Sequence, residues 1–319
     1  MKLNKQKISI GKVWNTMGVW LICILLFAVM SISTDKFFEV SNLINIVRQI
    51  AVTGVVALGA TFVVMSGEID LSQGGYVCLC GCLCAHMIMK MGMNIYVAIL
   101  LTIAISSISM AIVGTVVAYL SVPSFIATLG MQYVLAGLVL LLTNSQPISG
   151  LPSEFTVIAR GYLFGDAIPV AGVILFVAVL IGAFVLKYTV FGRSIIIVGE
   201  NRQAANLSGI NVPFIKIAAF AVAGACSALG GIILAARLGS GQPSSGSDVS
   251  LMALASVYVG GASKGSIFNT LAGTLIIGMI NNGLNLLGVS PAWKSITLGL
   301  IIIAAVVLDI FRSKRAATK

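Results

Sequence analysis

Long apolar runs separated by short polar stretches make up most of the chain. A helix needs about 20 apolar residues to cross the hydrocarbon core of a bilayer, which is about 30 Å thick. Ten runs are candidates, although the eighth is short enough to be a partial or buried helix. They cover residues 15–33, 47–66, 74–89, 95–120, 124–143, 168–188, 214–238, 250–262, 266–288 and 293–310. The pattern predicts an all-α, polytopic membrane protein with about ten transmembrane helices in one domain over residues 1–319.

Composition supports this prediction. Of the 319 residues, 59% are hydrophobic and 9% are charged, and the mean hydropathy is +1.09, whereas a soluble domain carries about 25% charged residues. The formal net charge of +10 does not come from a patch of basic and aromatic residues, which is the pattern typical of nucleic-acid binding. We therefore expect membrane lipid around the chain and no nucleic-acid partner.

The distribution of Lys and Arg predicts the orientation. If the N-terminus is cytoplasmic, thirteen of the nineteen basic residues fall on the cytoplasmic side, which is the side that carries the excess in membrane proteins. An even number of crossings, ten or eight, places both ends there. We expect cytoplasmic tails at 1–14 and 311–319 and a cytoplasmic loop at 189–213. The first apolar run is too long for a signal peptide and is interpreted as a retained helix.

Few residues are of the types that catalysis or metal binding needs. The stretch Gly260–Ser266 lacks the spacing of a phosphate-binding loop, so we expect no ATPase on this chain. His86 is the single histidine, too few for a multi-histidine metal site and a weak basis for a Ser-His-Asp triad. Four of the six cysteines lie within 78–84 and alternate between two faces of a helix, so they cannot converge on one zinc ion. The chain is predicted to be no enzyme and to hold no metal or cofactor.

Polar interruptions of the apolar runs contain the candidate transport residues. Glu68, Asp70 and Ser72 lie together in the first such interruption, Ser66–Gly75. A charge at the centre of a membrane costs about 2.5–3.5 kcal/mol on insertion scales, so these acids need partners or water. Two interpretations stay open. The cluster lines or gates a transport route, or Asp70 or Ser72 accepts hydrogen bonds from the amides that open the next helix.

Asparagines give a second candidate. Asn281, Asn282 and Asn285 occur near the end of a long apolar run, and the first and last of them share a helix face. Side-chain amides donate and accept hydrogen bonds, which suits sugar hydroxyls, but they also join helices in membrane bundles. Gln242, in a polar stretch expected outside, has the same two interpretations.

The predicted cytoplasmic loop contains a short helix. Asn201 is placed to cap its start and Gly209 to end it, with the small residues Ala204 and Ala205 between them. Such a helix fits a groove on a soluble partner, or it is an ordinary amphipathic connector. A faint internal similarity between 122–130 and 289–299, each before an apolar helix, raises the hypothesis of duplicated halves.

Taken in order, several short motifs resemble one family, the ribose-type permeases of bacterial ATP-binding-cassette sugar importers. The resemblance covers about residues 40–310. The motifs are Gly67-Glu-Ile-Asp-Leu-Ser72, Val122-Pro-Ser-Phe-Ile-Ala-Thr-Leu-Gly130, Phe191-Gly-Arg193, Ala204-Ala205, Leu207-Ser-Gly-Ile-Asn211, Gln242-Pro243, Gly260-Gly261 and Asn281-Asn-Gly-Leu-Asn-Leu-Leu-Gly288.

The resemblance implies a permease dimer in the bacterial inner membrane, a separate cytoplasmic ATPase that binds ATP and Mg²⁺, and an extracytoplasmic sugar-binding protein. The residues expected to line or gate the pathway are Glu68, Asp70, Ser72, Gln242, Asn281, Asn282 and Asn285. Those expected to couple to the ATPase are Arg193, Glu200, Asn201, Ala204, Ala205, Ser208 and Gly209.

The chain departs from the family pattern in three places. The loop between Gly261 and Lys264 is short, Ser250-Leu-Met252 stands where relatives commonly have Glu-Leu-Asp, and Arg202-Gln203 stands where they often have two acidic residues. Two other functions therefore stay open. One is a secondary transporter in which Glu68 or Asp70 carries a proton, and the other is a diverged membrane subunit that transports nothing.

Overall fold

A computed structural model describes the backbone of residues 10–165, 168–261 and 266–317. Within these ranges the chain is almost entirely helical. Its α-helices are α1 (Ile10–Ser33), α2 (Val40–Met65), α3 (Gln73–Met89), α4 (Ile95–Tyr119), α5 (Ser124–Thr143), α6 (Ser153–Arg160), α7 (Val170–Tyr188), α8 (Val190–Glu200), α9 (Arg202–Leu207), α10 (Val212–Leu238), α11 (Val249–Gly260), α12 (Ile267–Leu286) and α13 (Pro291–Ala317).

Short irregular elements join the helices. A 3-10 helix at Asp35–Phe38 connects α1 to α2. The strands β1 (Ile148–Ser149) and β4 (Ser240–Gly241) pair antiparallel, as do β2 (Tyr162–Leu163) and β3 (Ile168–Pro169). The sequence pattern missed these two-residue strands and also α6, because each is too short to produce a periodic signal.

Each of the ten predicted apolar segments is helical over most of its described residues, which confirms an all-α, polytopic fold. Among the described residues, six helices are long and apolar enough to cross a membrane, namely α2, α4, α5, α7, α10 and α12. The apolar stretches in α1, α3, α11 and α13 are shorter. Ten crossings therefore remain a prediction, as do duplicated halves, although α5 and α13 both begin beside a proline.

The predicted tails are partly helical. Helix α1 starts at Ile10 and α13 continues to Ala317. The rest of those tails, residues 1–9 and 318–319, and Lys264 of the predicted loop after Gly261 lie outside the described residues.

Helix α2 forms the centre of the bundle. Of its most apolar stretch 83% is buried, against 17% for α5 and 28% for α7, and it contacts α7, α10, α11 and α12. Helices α4, α5 and α7 instead expose large apolar residues such as Ile108, Leu141 and Phe184. Such exposed apolar faces are the composition expected of a surface that meets lipid.

Helix α3 starts in the middle of the bundle. It runs beside and parallel to α10, so closely that a Cβ on Gly231 would lie 2.3 Å from the carbonyl oxygen of Val77. One helical turn earlier, Gln73, the first residue of α3, is therefore level with Ser227, the sixteenth of the 27 residues of α10.

An irregular segment, Gly67–Ser72, reaches this level from one end of the bundle, where α2 ends and α8 and α9 lie; we call this the α8 end. There Glu68 forms an ion pair with Lys216, the fifth residue of α10. From Lys216 to Ser227, α10 rises about 16 Å over eleven residues. The five residues from Glu68 to Gln73 must bridge the same distance, which a nearly extended chain can do.

A second segment, residues 239–248, enters from the opposite end, where β1 and β4 pair. It runs back along α3, with Gly241 beside Cys82 and Gly246 beside Val77. Helix α11 then continues to the α8 end, where Gly260 contacts Asn269 near the start of α12. Helices α3 and α11 thus begin side by side and run in opposite directions.

Neither helix spans a membrane alone. Their 17 and 12 residues correspond to about 25 and 18 Å, less than the 30 Å or so of a hydrocarbon core. An irregular segment precedes each of them, residues 67–72 before α3 and residues 239–248 before α11.

We predict that Gly231→Ala lowers the free energy of unfolding by about 1–3 kcal/mol, because the new methyl group must force α10 from α3. The matched control is Gly137→Ala on α5, where a Cβ meets nothing within 4 Å. The control should leave stability unchanged or raise it slightly, since alanine favours a helix over glycine. Denaturant titration in detergent measures both, and equal effects would argue against the close α3–α10 contact.

Candidate functional site

One hydroxyl group joins the two helices that begin in the middle of the bundle. Ser250 Oγ, on α11, accepts a hydrogen bond from the Gly74 N–H of α3 and donates one to the Leu71 carbonyl at 2.9 Å. It therefore serves both the first turn of α3 and the irregular segment before it. We call Gly67–Gly75 together with Ser250 the junction.

Helix α5 pairs three further amides of the junction. Gln132 Oε1 accepts from Gly75 N–H at 2.8 Å, Ser124 Oγ from Ile69 N–H at 3.2 Å, and Thr128 Oγ1 from Leu71 N–H at 3.1 Å. Irregular backbone in an apolar bundle needs such partners, because neither lipid nor water supplies them there. These side chains let this irregular backbone lie inside the protein.

The acidic residues of the junction have different surroundings. Glu68 is engaged by Lys216. Asp70 is fully buried, and its Oδ1 accepts from Ser72 N–H at 2.8 Å and from Ser72 Oγ at 2.6 Å. Asp70 therefore closes the turn that precedes α3, while the amides that open the helix are capped by Ser250 and Gln132. Among the described residues, Asp70 Oδ2 and both polar atoms of the Gln73 side chain are buried without a hydrogen-bond partner in the protein.

The two helix starts carry partial positive charge, since the first amides of a helix point outward. Placed side by side, they repel each other. An aspartate lies before each start: Asp70 precedes α3 by three residues, and Asp248 directly precedes α11. The carboxylates offset this repulsion, Asp70 from a buried position and Asp248 from an exposed one.

The asparagines of α12 separate into three environments. Asn282 is buried and exchanges two hydrogen bonds with Asn42 of α2, at 2.9 and 3.1 Å. Asn285 accepts from Lys294. Asn281 makes only a 3.6 Å contact with Met252 Sδ through its nitrogen and lines a cavity between α11, α12 and α13. Asn282 thus forms hydrogen bonds between helices, which was one of the two interpretations of these asparagines.

Gln242 folds back on its own segment. Its Nε2 donates to Ser240 Oγ at 3.3 Å, and its Oε1 accepts from Ser245 Oγ at 3.1 Å. The seven predicted pathway residues are therefore not gathered in one place. Glu68, Asp70 and Ser72 belong to the junction, Gln242 to the returning segment and Asn281 to the cavity. Their roles in transport stay predictions.

The loop at 189–213 forms the short helix that the sequence predicts. Asn201 Oδ1 caps α9 by accepting from Ala204 N–H at 2.9 Å, and Gly209 follows the helix with a φ of +77°. Helix α8 precedes it, and Thr189 caps α8 through Gly192 N–H.

The exposed surface of this loop includes only one of the two alanines expected to couple to the ATPase. Ala204 is exposed, but Ala205 is fully buried. The most exposed apolar side chain is instead Leu207, at 90%, which sequence reasoning did not single out. The other predicted coupling residues that are exposed are Arg193, Glu200, Asn201, Ser208 and Gly209. The surface is thus one leucine surrounded by charged and polar groups.

Helix α8 touches the beginning of the junction. A Cβ on Gly199 would lie 1.9 Å from the Met65 carbonyl oxygen and 3.3 Å from the Gly67 nitrogen. Phe191 of α8 also stacks on Phe62 of α2, with 6.2 Å between ring centroids. This backbone contact leaves no space for α8 to move toward the end of α2 and Gly67 without displacing them.

Comparison with known proteins gives consistent matches over nearly the whole chain. The family model for the branched-chain amino acid transport system / permease component matches residues 42–306. The ribose import permease protein RbsC of Bacillus subtilis is 39% identical over 315 residues, covering 97% of each chain. The xylose transport system permease protein XylH of Haemophilus influenzae is 33% identical, covering 91% of this chain and 94% of its own. The D-allose transport system permease protein AlsC of Escherichia coli is 32% identical, covering 97% and 96%. No solved structure is significantly similar.

We predict that Ser250→Ala destabilises the protein by about 1–3 kcal/mol, because it leaves the Gly74 N–H buried without a partner. Ser256→Ala, on the same helix, is the control, since Ser256 Oγ bonds only to the Met252 carbonyl within α11. Unfolding in detergent by denaturant measures both variants. A Ser250→Ala protein as stable as the control would refute the bridging role of this hydroxyl.

Proposed function

Because the chain belongs to the branched-chain amino acid transport system / permease component family, we infer that it is the permease subunit of an ATP-binding-cassette importer for a small sugar. The observation that carries this is the near full-length similarity to permeases named for ribose, xylose and D-allose. The three names share a neutral monosaccharide, and we propose ribose or a related monosaccharide as the substrate. The protein is a multi-pass protein of the bacterial inner membrane.

The proposed orientation places the α8 end, and both chain termini, in the cytoplasm. Lys187, Arg193, Arg202 and Lys216 lie at or near this end, in keeping with the excess of basic residues on the cytoplasmic side. The partners follow from the importer assignment. They are a second permease copy, a cytoplasmic ATPase that carries ATP and Mg²⁺, and an extracytoplasmic sugar-binding protein.

Leu207 and the polar groups around it are the proposed contact for the ATPase. An exposed apolar side chain surrounded by charged and polar groups matches the apolar core and polar rim of protein interfaces. Arg202 is exposed beside Glu200, so the partner surface must match this mixed charge.

Movement of α8 would then reach the sugar route through backbone contacts. Gly199 presses on Met65 and Gly67, and the junction that begins at Gly67 is bonded to Ser250 of α11. ATP binding and a loaded sugar-binding protein would bias the same two-state equilibrium from opposite sides. The geometry supports this coupling because every step is a direct contact.

A secondary transporter is the second candidate, with Glu68 or Asp70 as the proton carrier. The ion pair between Glu68 and Lys216 would have to break in each cycle. A subunit without transport is the third candidate.

We expect proteoliposomes to accumulate tritiated D-ribose, D-xylose or D-allose only with three additions. These are the cognate ATPase, ATP on the ATPase side, and the loaded sugar-binding protein on the other side. Uptake driven by a pH gradient without the ATPase would support the secondary transporter. ATP hydrolysis without uptake of any of the three sugars would support the subunit that does not transport.

We predict that Leu207→Asp reduces the ATPase that co-purifies with the permease at least about tenfold, because a charge replaces the apolar anchor of the contact. Leu207→Met keeps an apolar side chain and should retain the ATPase. Membrane insertion of both variants should be equal, since Leu207 is exposed and holds no other helix. Normal ATPase recovery with Leu207→Asp would exclude Leu207 from the contact.

A further inference from the structure

A cavity of about 280 Å³ lies between α11, α12 and α13. Its polar lining consists of Asp248, Asn281, Lys294, Ser295 and Thr297. Ligand pockets for drug-sized molecules have volumes of about 300–1,000 Å³. This cavity is slightly smaller than that range and suits a small ligand.

Three of the lining groups are free to bind. Among the described residues, the Asp248 carboxylate, the Asn281 side-chain oxygen and the Thr297 hydroxyl make no hydrogen bond to protein. Together they offer a charged acceptor, a neutral acceptor and a group that both donates and accepts. Neighbouring hydroxyls of a polyol need this combination.

The charges of the cavity balance. Asp248 carries one negative charge and Lys294 one positive charge, and Lys294 is held by Asn285. A charged ligand would therefore meet one repulsive partner for each attractive one. The cavity favours a neutral polar molecule.

The remaining lining is aliphatic. Ile277, Leu284 and Leu298 are among the residues that would cover the C–H faces of a sugar ring, and no aromatic residue lies among the described lining residues. Without an aromatic platform the ligand is held weakly. Weak binding is what a transport route requires, because the ligand must also leave.

The cavity adjoins the junction. Asp248 and Met252 line it, and Ser250, which bonds to Leu71 and Gly74, lies between them in the chain. A change in the junction therefore alters the lining directly.

We propose that this cavity is a transit site for one neutral monosaccharide, bound by Asp248, Asn281 and Thr297. This inference rests on the proposed function and adds the residues that contact the sugar. It also distinguishes Asn281 from Asn282, whose amide is committed to Asn42.

The test uses the complete complex in proteoliposomes and whichever of D-ribose, D-xylose and D-allose the unmodified complex takes up. Asn281→Leu and Thr297→Val remove polar atoms at nearly constant volume. Thr115→Val on α4 is the matched control, since Thr115 is exposed and bonds only to Ala111 of its own helix. Each site variant should lower uptake at low sugar concentration about fivefold, the effect of one lost hydrogen bond, and the control should not.

Assembly is checked separately. The amounts of membrane-inserted permease and of co-purifying ATPase should stay within twofold of normal in every variant, which shows that the complex is folded and assembled. As a second measurement, Thr297→Cys should react with N-ethylmaleimide more slowly when the transported sugar is present in excess.

The outcomes distinguish a failure of this inference from a failure of the proposed function. Normal uptake by both site variants, or sugar-independent labelling of Thr297→Cys as expected if a lipid chain fills the cavity, overturns this inference and leaves the proposed function intact. Failure of the unmodified complex to take up any of the three sugars overturns the proposed function and this inference together.

Discussion

Backbone amides and carbonyls inside an apolar bundle must be paired within the protein, because lipid offers them no hydrogen bonds. At the junction, side chains help to meet that requirement. Two helices begin in the middle of the bundle, and Ser250 pairs an amide of one and a carbonyl just before it. Side chains of α5 pair three further amides. The positions of α3, α5 and α11, and of the cavity beside α11, all depend on these bonds.

Much of the fold was predictable from the sequence because apolar runs are long and their polar interruptions are sharp. The ten helical segments, the short α9 with its Asn201 cap, and the irregular Gly67–Ser72 stretch all follow from local patterns. The hydroxyl that bonds to that stretch, the one of Ser250, does not follow from a local pattern. Ser250 lies 176 residues from Gly74, and a local pattern contains no information about which distant hydroxyl meets an amide.

Local sequence patterns also fail to predict how individual residues of the candidate site are oriented. Asn281 and Asn282 are adjacent and chemically identical, yet a rotation of about 100° around the helix places one in the cavity and the other against Asn42. Leu207 was missed because a leucine in a loop resembles a core residue until its exposure is known. Ala204 and Ala205 are both expected to couple to the ATPase, yet Ala204 is exposed and Ala205 is buried. Two positions that depart from the family pattern, Ser250 and Met252, lie at the junction and in the cavity lining, so the departures affect the region that links them.

The distance in sequence between Gly74 and Ser250 also determines how much time passes between the synthesis of the two residues. A ribosome adds about 5–20 residues per second, so 176 residues correspond to an interval of about 9–35 s. Throughout that interval the first turn of α3 has been synthesised and its capping hydroxyl has not. The nascent chain must therefore keep this helix start hydrated or sheltered at the insertion machinery until α11 arrives, which makes the docking of α11 a late and decisive step of biogenesis.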